Sequence, residues 1–125
     1  MQDLPAPSDL VALAAAFLRE EIMPELSGAK QFQLRVAINA LDLCTRQLRT
    51  AADMAQDEYT RLHHLLGEDA SLDELNRILC DAIASGSQTL ETPGLADHLW
   101  ATTMDKLAVD QPNYAAYKRE RARDT

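Results

Sequence analysis

The stretch KQFQLRVAINALDLCTRQLR, residues Lys30–Arg49, decides the fold that the sequence predicts. It contains no Gly or Pro, and its apolar residues recur at steps of three and four, as on the buried face of a helix. This predicted face consists of Val36, Ala37, Ala40, Leu41, Cys44 and Leu48. Because Leu34 and Ile38 widen the apolar surface, we expect a central helix at about 30–49 that the other helices surround.

A polar row follows the same helix at steps of four and three. It consists of Arg35, Asn39, Asp42, Arg46 and Arg49. Inside a bundle these groups need partners, because an unpaired buried guanidinium is very costly. One interpretation is an ion-pair network to a later helix, which is the commoner use of such residues. The other is an anion or carbonyl site, in which the forked guanidinium of Arg35 binds the ligand and Asn39 donates a hydrogen bond to it.

The chain has the size and composition of one soluble domain. It has 125 residues, of which 46% are hydrophobic and 26% charged, with a net charge of −8. Residues 118–125 carry +2, which leaves −10 on residues 1–117. An acidic body argues against non-specific binding to nucleic acid or to an anionic membrane. We expect a single helical domain over 1–113 and a short, partly frayed tail over 114–125.

The cysteines and the N-terminus favour a cytoplasmic protein. Cys44 and Cys80 lie in apolar helical patterns, which predicts two buried free thiols in a reducing compartment, with a disulfide as the alternative. The first ten residues lack the basic region of a signal peptide. The longest apolar run, Leu10–Leu18, is far below the roughly 20 residues of a membrane span.

The remaining elements are also predicted to be helices. Ser8 is the expected N-cap of the first helix, and Ser71 with Glu74 forms a capping box. Pro93 suits the first position of the last helix. The helices are expected at about 9–23, 30–49, 52–66, 72–85 and 94–109. The sequence therefore predicts an all-α, mostly antiparallel five-helix bundle, in which one long helix as far as Leu66 is the alternative to a break near Arg49–Ala52.

The last predicted helix contributes the other candidate residues. Its expected inward residues are Leu99, Trp100, Met104, Leu107 and Ala108. In the segment DKLAVD, Lys106 and Asp110 are four residues apart and can meet on one face. Asp105 points elsewhere and could reach Arg35. The simpler interpretation is a surface pair with a C-terminal anchor; a catalytic Asp–Lys pair would need a cleft.

No pattern in the sequence predicts a metal, a cofactor or a catalytic centre. His63 and His64 are adjacent, so their rings diverge on a helix and cannot share a metal ion. The Glu-x-x-His pattern of carboxylate-bridged dimetal sites is missing. The sequence also lacks a Gly-rich phosphate loop, a G-x-S-x-G nucleophile motif and an H-E-x-x-H zinc motif.

Three segments together resemble a known but uncharacterised bacterial family. They are RVAIN (Arg35–Asn39) followed by Arg46, LNRILC (Leu75–Cys80) and DKLAVDQPNY (Asp105–Tyr114). The family consists of small helical proteins or domains encoded beside, or fused behind, aminoglycoside-phosphotransferase-like kinases, often near acyl-CoA dehydrogenases. Its members commonly have Asn-Pro where this chain has Gln111-Pro112. The resemblance implies a partner rather than a reaction.

The sequence leaves three functional hypotheses. The first is a non-enzymatic accessory domain of a kinase-like enzyme, or of an acyl-CoA dehydrogenase, in acyl-CoA or hydroxy-acid metabolism. The second is a carboxylate- or phosphate-binding protein or minor enzyme with a pocket between the helices at 30–49 and 94–109. The third is a homodimer formed through the small residues Ala14, Ala15 and Ala16, which permit close helix approach.

Overall fold

The computed structural model describes residues 3–124 and builds them mainly from helices. The five α-helices are α1 (Pro7–Phe17), α2 (Gly28–Leu66), α3 (Leu72–Ser85), α4 (Leu95–Asp110) and α5 (Ala115–Arg123). A π-helical turn, Leu18–Ile22, and a 3-10 turn, Met23–Glu25, connect α1 to α2. Residues 3–124 contain no strand, which confirms the all-α prediction. No helix in this range is long and apolar enough to cross a membrane.

α2 is one continuous helix of 39 residues, so the predicted break near Arg49–Ala52 is wrong and the alternative of one long helix is right. At the predicted break, the Thr50 hydroxyl donates to the Arg46 carbonyl at 2.9 Å. A threonine that bonds back in this way stays within the helix. Gly67, with a φ of 69°, ends α2 in the left-handed conformation that glycine tolerates.

α1 begins earlier than predicted. Ala6 is the N-cap and Pro7 takes the first helical position, where its missing N–H costs nothing. Ser8, the predicted N-cap, therefore lies inside the helix. Asp9 remains in the first turn, as expected, where its charge suits the helix dipole.

The chain divides into two compact units, Met1–Ala51 and Ala52–Thr125, and α2 contributes to both. In the first unit α1 and the early part of α2 form an antiparallel hairpin. Asp9 contacts Arg49 at 3.3 Å and Arg19 contacts Asp42 at 2.6 Å. The predicted single domain over 1–113 stays a prediction.

The predicted buried face of residues 30–49 is wrong. Of its six members five are exposed, with Val36 at 53% and Leu48 at 52%, and Leu41 is half-buried. The buried residues are instead Ile38 at 2% and Thr45 at 6%. Thr45 tolerates burial because its hydroxyl donates to the Leu41 carbonyl at 2.9 Å. Within the first unit this part of α2 packs on one neighbouring helix, which covers one narrow stripe.

The second unit has a leucine core. Leu62, Leu75, Leu79 and Leu95 are buried, and Tyr59, Leu65, Leu66, Ala70 and Leu72 pack against them. The predicted capping box at the start of α3 is confirmed: Ser71 Oγ accepts from the Glu74 N–H, and the Glu74 carboxylate accepts from the Ser71 N–H at 3.0 Å. The Ser71 hydroxyl also donates to the Glu74 carboxylate at 2.6 Å, and this bond, together with the one from the Ser71 N–H, lowers the pKa of Glu74 below its ordinary value.

α4 starts at Leu95 with Gly94 as its N-cap, so Pro93 lies before the helix rather than in its first position. Its buried residues are Leu95, His98 and Val109, whereas Leu99 and Trp100 are 39% and 54% exposed. The expected inward face of this helix is therefore wrong in part. Where a partly frayed tail was predicted, the structure has α5. Tyr117 of this helix is buried, with 5% of its surface exposed.

Candidate functional site

The predicted polar row of α2 lies in the first unit and is only partly buried. Arg35 and Asn39 are exposed, while Asp42 and Arg46 are half-buried. Asp42 accepts a hydrogen bond from Arg19 at 2.6 Å, so its partner comes from the π-helical turn and not from the last helix. Because Arg35 is exposed, a ligand can reach its guanidinium from solvent, as a ligand-binding role would require.

The candidate residues of the last helix lie in the second unit. Asp105 is half-buried and accepts from Arg61 of α2 at 3.2 Å, where Arg35 was its expected partner. Lys106 and Asp110 are exposed. The two predicted sets therefore belong to different units, and a joint network between them stays a prediction.

Other singled-out residues have ordinary surroundings. Cys44 and Cys80 are free, as predicted, but exposed rather than buried. Asn76 donates to Glu58 at 2.9 Å, the kind of interhelical bond expected of it. His63 and His64 are both exposed. Residues 3–124 contain no group of three or more metal-ligating side chains.

Each helix of the first unit carries an exposed apolar stripe. The α1 stripe consists of Leu10, Leu13 and Phe17, and the α2 stripe of Phe32, Val36 and Leu43. At 3.6 residues per turn, each stripe lies roughly opposite the buried residue of its own helix, Ala15 or Ile38. The hairpin therefore turns large apolar side chains outward on both helices. Ala15 is buried at 1%, so Ala14 to Ala16 do not form the expected surface patch.

The second unit contains a buried polar cluster that the sequence analysis missed. Leu95, His98, Thr102, Asp105 and Val109 follow one another on α4 at steps of three and four, and all are buried or half-buried. We call His98, Thr102 and Asp105, with Arg61 of α2, the polar seam. Three buried atoms of this seam have no hydrogen-bond partner among residues 3–124: Arg61 Nε, His98 Nδ1 and Thr102 Oγ1.

His98 is the most deeply buried polar residue of the chain that the structure describes, with 3% of its surface exposed. Burial lowers the pKa of His98 below its ordinary value, and the charge of Arg61 lowers it further against a smaller opposing effect of Glu58. The ring is therefore held neutral. The regular spacing of this row on α4 could have revealed the polar seam from the sequence, but a row with three polar members resembles the solvated face of a helix.

A groove of about 540 Å³ opens beside the polar seam. It is lined by Thr60, Arg61, His64, Leu65, Pro93, Gly94, Asp97 and His98. The groove lies within the second unit, between the end of α2 and the start of α4. The predicted pocket between the helices at 30–49 and 94–109 is a different site and stays a prediction.

The comparisons with known proteins place the chain in a family without assigning it a function. A family model described as a domain of unknown function, DUF6285, matches residues 24–114. Neither a curated protein nor a solved structure matches. The matched segment leaves out α1 and includes the α2 stripe, the polar seam and the groove. Because it covers most of the sequence, the chain belongs to the DUF6285 family.

Proposed function

We propose that this protein is a non-enzymatic interaction module that docks onto a partner enzyme through the α2 stripe. The observation that carries this proposal is the exposure of three large apolar side chains on one side of a helix. Phe32 is 64% exposed, Val36 53% and Leu43 37%. Soluble monomers rarely expose large contiguous apolar patches, and where they do, the patch commonly marks an interaction site.

Polar residues border the stripe on one side. On a helix of 3.6 residues per turn, Arg35, Arg46 and Asn39 occupy the positions next to Phe32 and Leu43. An apolar centre beside a polar rim is the usual anatomy of a protein interface, in which aromatic residues and Arg are enriched. The residues predicted as a polar network then serve as the rim of the docking surface.

Charge defines the partner. Between Gly28 and Ala51, α2 carries four basic residues and one acidic residue; Asp42 is paired with Arg19, and Arg49 with Asp9. The stripe therefore suits a partner whose apolar groove has an acidic rim, because complementary charges speed association and fix orientation. The resemblance of the sequence supports one class of partner, a phosphotransferase-like kinase in acyl-CoA or hydroxy-acid breakdown.

The test is binding of the purified protein to a purified phosphotransferase-like kinase of the class that the resemblance implies, measured by calorimetry. We expect Phe32→Ala with Val36→Ala to weaken binding at least about 30-fold, because central interface anchors contribute about 2 kcal/mol or more each. Arg35→Glu should slow association and remove much of its salt dependence.

The matched control is Leu10→Ala with Leu13→Ala on the α1 stripe, which lies outside the family-matched segment and should leave binding within threefold. The proposal fails if the two proteins do not associate and kinase activity is unchanged on mixing. It also fails if Phe32→Ala with Val36→Ala abolishes a homodimer instead, as measured by sizing chromatography at low and high concentration.

A further inference from the structure

We propose that the groove beside the polar seam binds an uncharged, mainly apolar small molecule whose carbonyl oxygen accepts a hydrogen bond from His98. This inference is independent of the α2 stripe, since the groove belongs to the second unit. It starts from the ring of His98, which lines the groove and whose Nδ1 is sealed and unpartnered, so that of its two nitrogens Nε2 is left to meet a bound molecule.

The tautomer of His98 follows from its surroundings. A neutral imidazole has one N–H donor and one lone-pair acceptor. A sealed donor without a partner is rarer than a sealed acceptor without one. We therefore assign the lone pair to the buried Nδ1 and the proton to Nε2. A molecule in the groove then meets a donor, and a carbonyl oxygen is the matching acceptor.

The charges around the groove argue against an ionic ligand. Arg61 is the one lining residue with a permanent positive charge, and Asp105 already pairs with it at 3.2 Å. Asp97 adds an unneutralised carboxylate to the lining, and the ring of His98 is neutral. An anion would meet this carboxylate without a free cation, while a cation at His98 would meet the assigned Nε2 proton instead of a lone pair. A neutral ligand avoids both costs.

The size and remaining lining suit a small apolar body. Leu65, Pro93 and Gly94 form the apolar part of the groove. A Cβ at Gly94 would make ordinary van der Waals contact with Leu65 Cδ1 at 3.8 Å, so these two residues lie side by side in the lining. A volume of about 540 Å³ lies within the range of ligand pockets, roughly 300–1,000 Å³.

The experiment compares three eight-carbon probes of different charge, 2-octanone, octanoate and octylammonium, by NMR titration of the full-length protein. We expect 2-octanone to shift the amide signals of Leu65 and Gly94 and the ring nitrogen signals of His98. Octanoate and octylammonium should bind at least tenfold more weakly. Asp97→Asn should strengthen octanoate binding severalfold and leave 2-octanone within twofold.

His98→Phe keeps an aromatic ring and removes the donor, so it should weaken 2-octanone binding about tenfold, which corresponds to about 1.4 kcal/mol. His63→Phe makes the same change at an exposed histidine outside the groove lining and should stay within twofold. The proposal is overturned if 2-octanone does not bind, if a charged probe binds as well, or if His98→Phe binds 2-octanone unchanged. Should His98→Phe fail to fold, unmoved His98 ring nitrogen signals in the unaltered protein overturn it equally.

Discussion

The two units differ in the apolar side chains that they seal from solvent. In the second unit Leu62, Leu75, Leu79 and Leu95 are sealed from solvent, with at most 4% of their surface exposed. In the described part of the first unit the buried apolar residues are Ala15 and Ile38, while larger residues such as Phe17 and Phe32 stand more than half exposed. The difference follows from the number of helices. A two-helix hairpin covers one stripe of each helix, whereas the second unit brings four helical segments together.

Charge separates the units in the same way. Residues 1–51 carry a net charge of −1, whereas residues 52–125 carry −7. A net negative charge keeps a surface soluble and discourages self-association. The first unit combines near-neutrality with exposed apolar stripes, which suits a surface that binds another protein. The second unit combines a sealed core with a small groove, which suits a ligand.

The largest expected difference concerns leucine truncation. Leu75→Ala, in the core of the second unit, should lower the free energy of unfolding by about 2–5 kcal/mol because it removes buried methyl groups and leaves a cavity. Leu48→Ala, at a first-unit position predicted to be inward, should change it by less than about 0.5 kcal/mol since Leu48 is 52% exposed. Urea unfolding measures both. Equal losses would show that the first unit has a core of its own.

Two of the arginine–aspartate pairs of α2 provide a second contrast. Arg61 contacts Asp105 at 3.2 Å with 28% of its side chain exposed, and Arg49 contacts Asp9 at 3.3 Å with 54% exposed. Arg61→Ala leaves a half-buried carboxylate unpaired and should cost about 1–2 kcal/mol. Arg49→Ala breaks a solvated pair and should cost less than about 0.5 kcal/mol. A similar cost for both, in urea unfolding at 0.15 M salt, would remove the distinction between the pairs.

Two serines sharpen the comparison further. Ser71→Ala removes the cap of α3 and should cost about 1 kcal/mol. Ser8→Ala should be close to neutral, because Ala6 is the N-cap of α1 and Ser8 lies inside the helix. Thermal unfolding followed by circular dichroism compares the two variants. If Ser8→Ala destabilised as much as Ser71→Ala, the hydroxyl of Ser8 would have a capping role that the structure does not give it.

Local signals could be predicted from the sequence and the packing partners could not. Ser71 and Glu74 define the start of α3 within four residues, so their pattern contains the whole interaction. The burial of α2 depends on which side α1 covers, and apolar periodicity alone gave the wrong side. Leu48 and Val36 follow the spacing of a buried face, yet they are exposed to solvent. Thr45 is buried, and its hydroxyl tolerates burial because it donates a hydrogen bond within its own helix.

The candidate site was missed for a related reason. His98 and Arg61 belong to different helices, so neither is conspicuous until the helices are packed. The predicted row at Arg35 and Asn39 was deduced from an expected burial that α2 does not have. A polar row with an apolar residue at each end, such as His98, Thr102 and Asp105 between Leu95 and Val109, is a signal that periodicity analysis tends to discard.

The smallest expected effect is a pH dependence near neutrality, which belongs to the second unit because residues 1–51 contain no histidine. Burial lowers the pKa of His98 in the folded protein below the ordinary value of 6.5 that it recovers on unfolding. Above pH 6.5 both states are neutral at this ring and stability does not depend on it. As the pH falls below 6.5 the unfolded chain takes up a proton that the folded chain does not, so stability decreases until the folded pKa is reached.

Urea unfolding at pH 7.5, 6.5 and 5.5 should show this decrease in the unaltered protein and in His64→Phe, and should lack it in His98→Phe. A decrease that persists in His98→Phe, or a protein that becomes more stable on acidification, would mean that the ring of His98 is not sealed in the neutral form on which the proposed ligand contact depends.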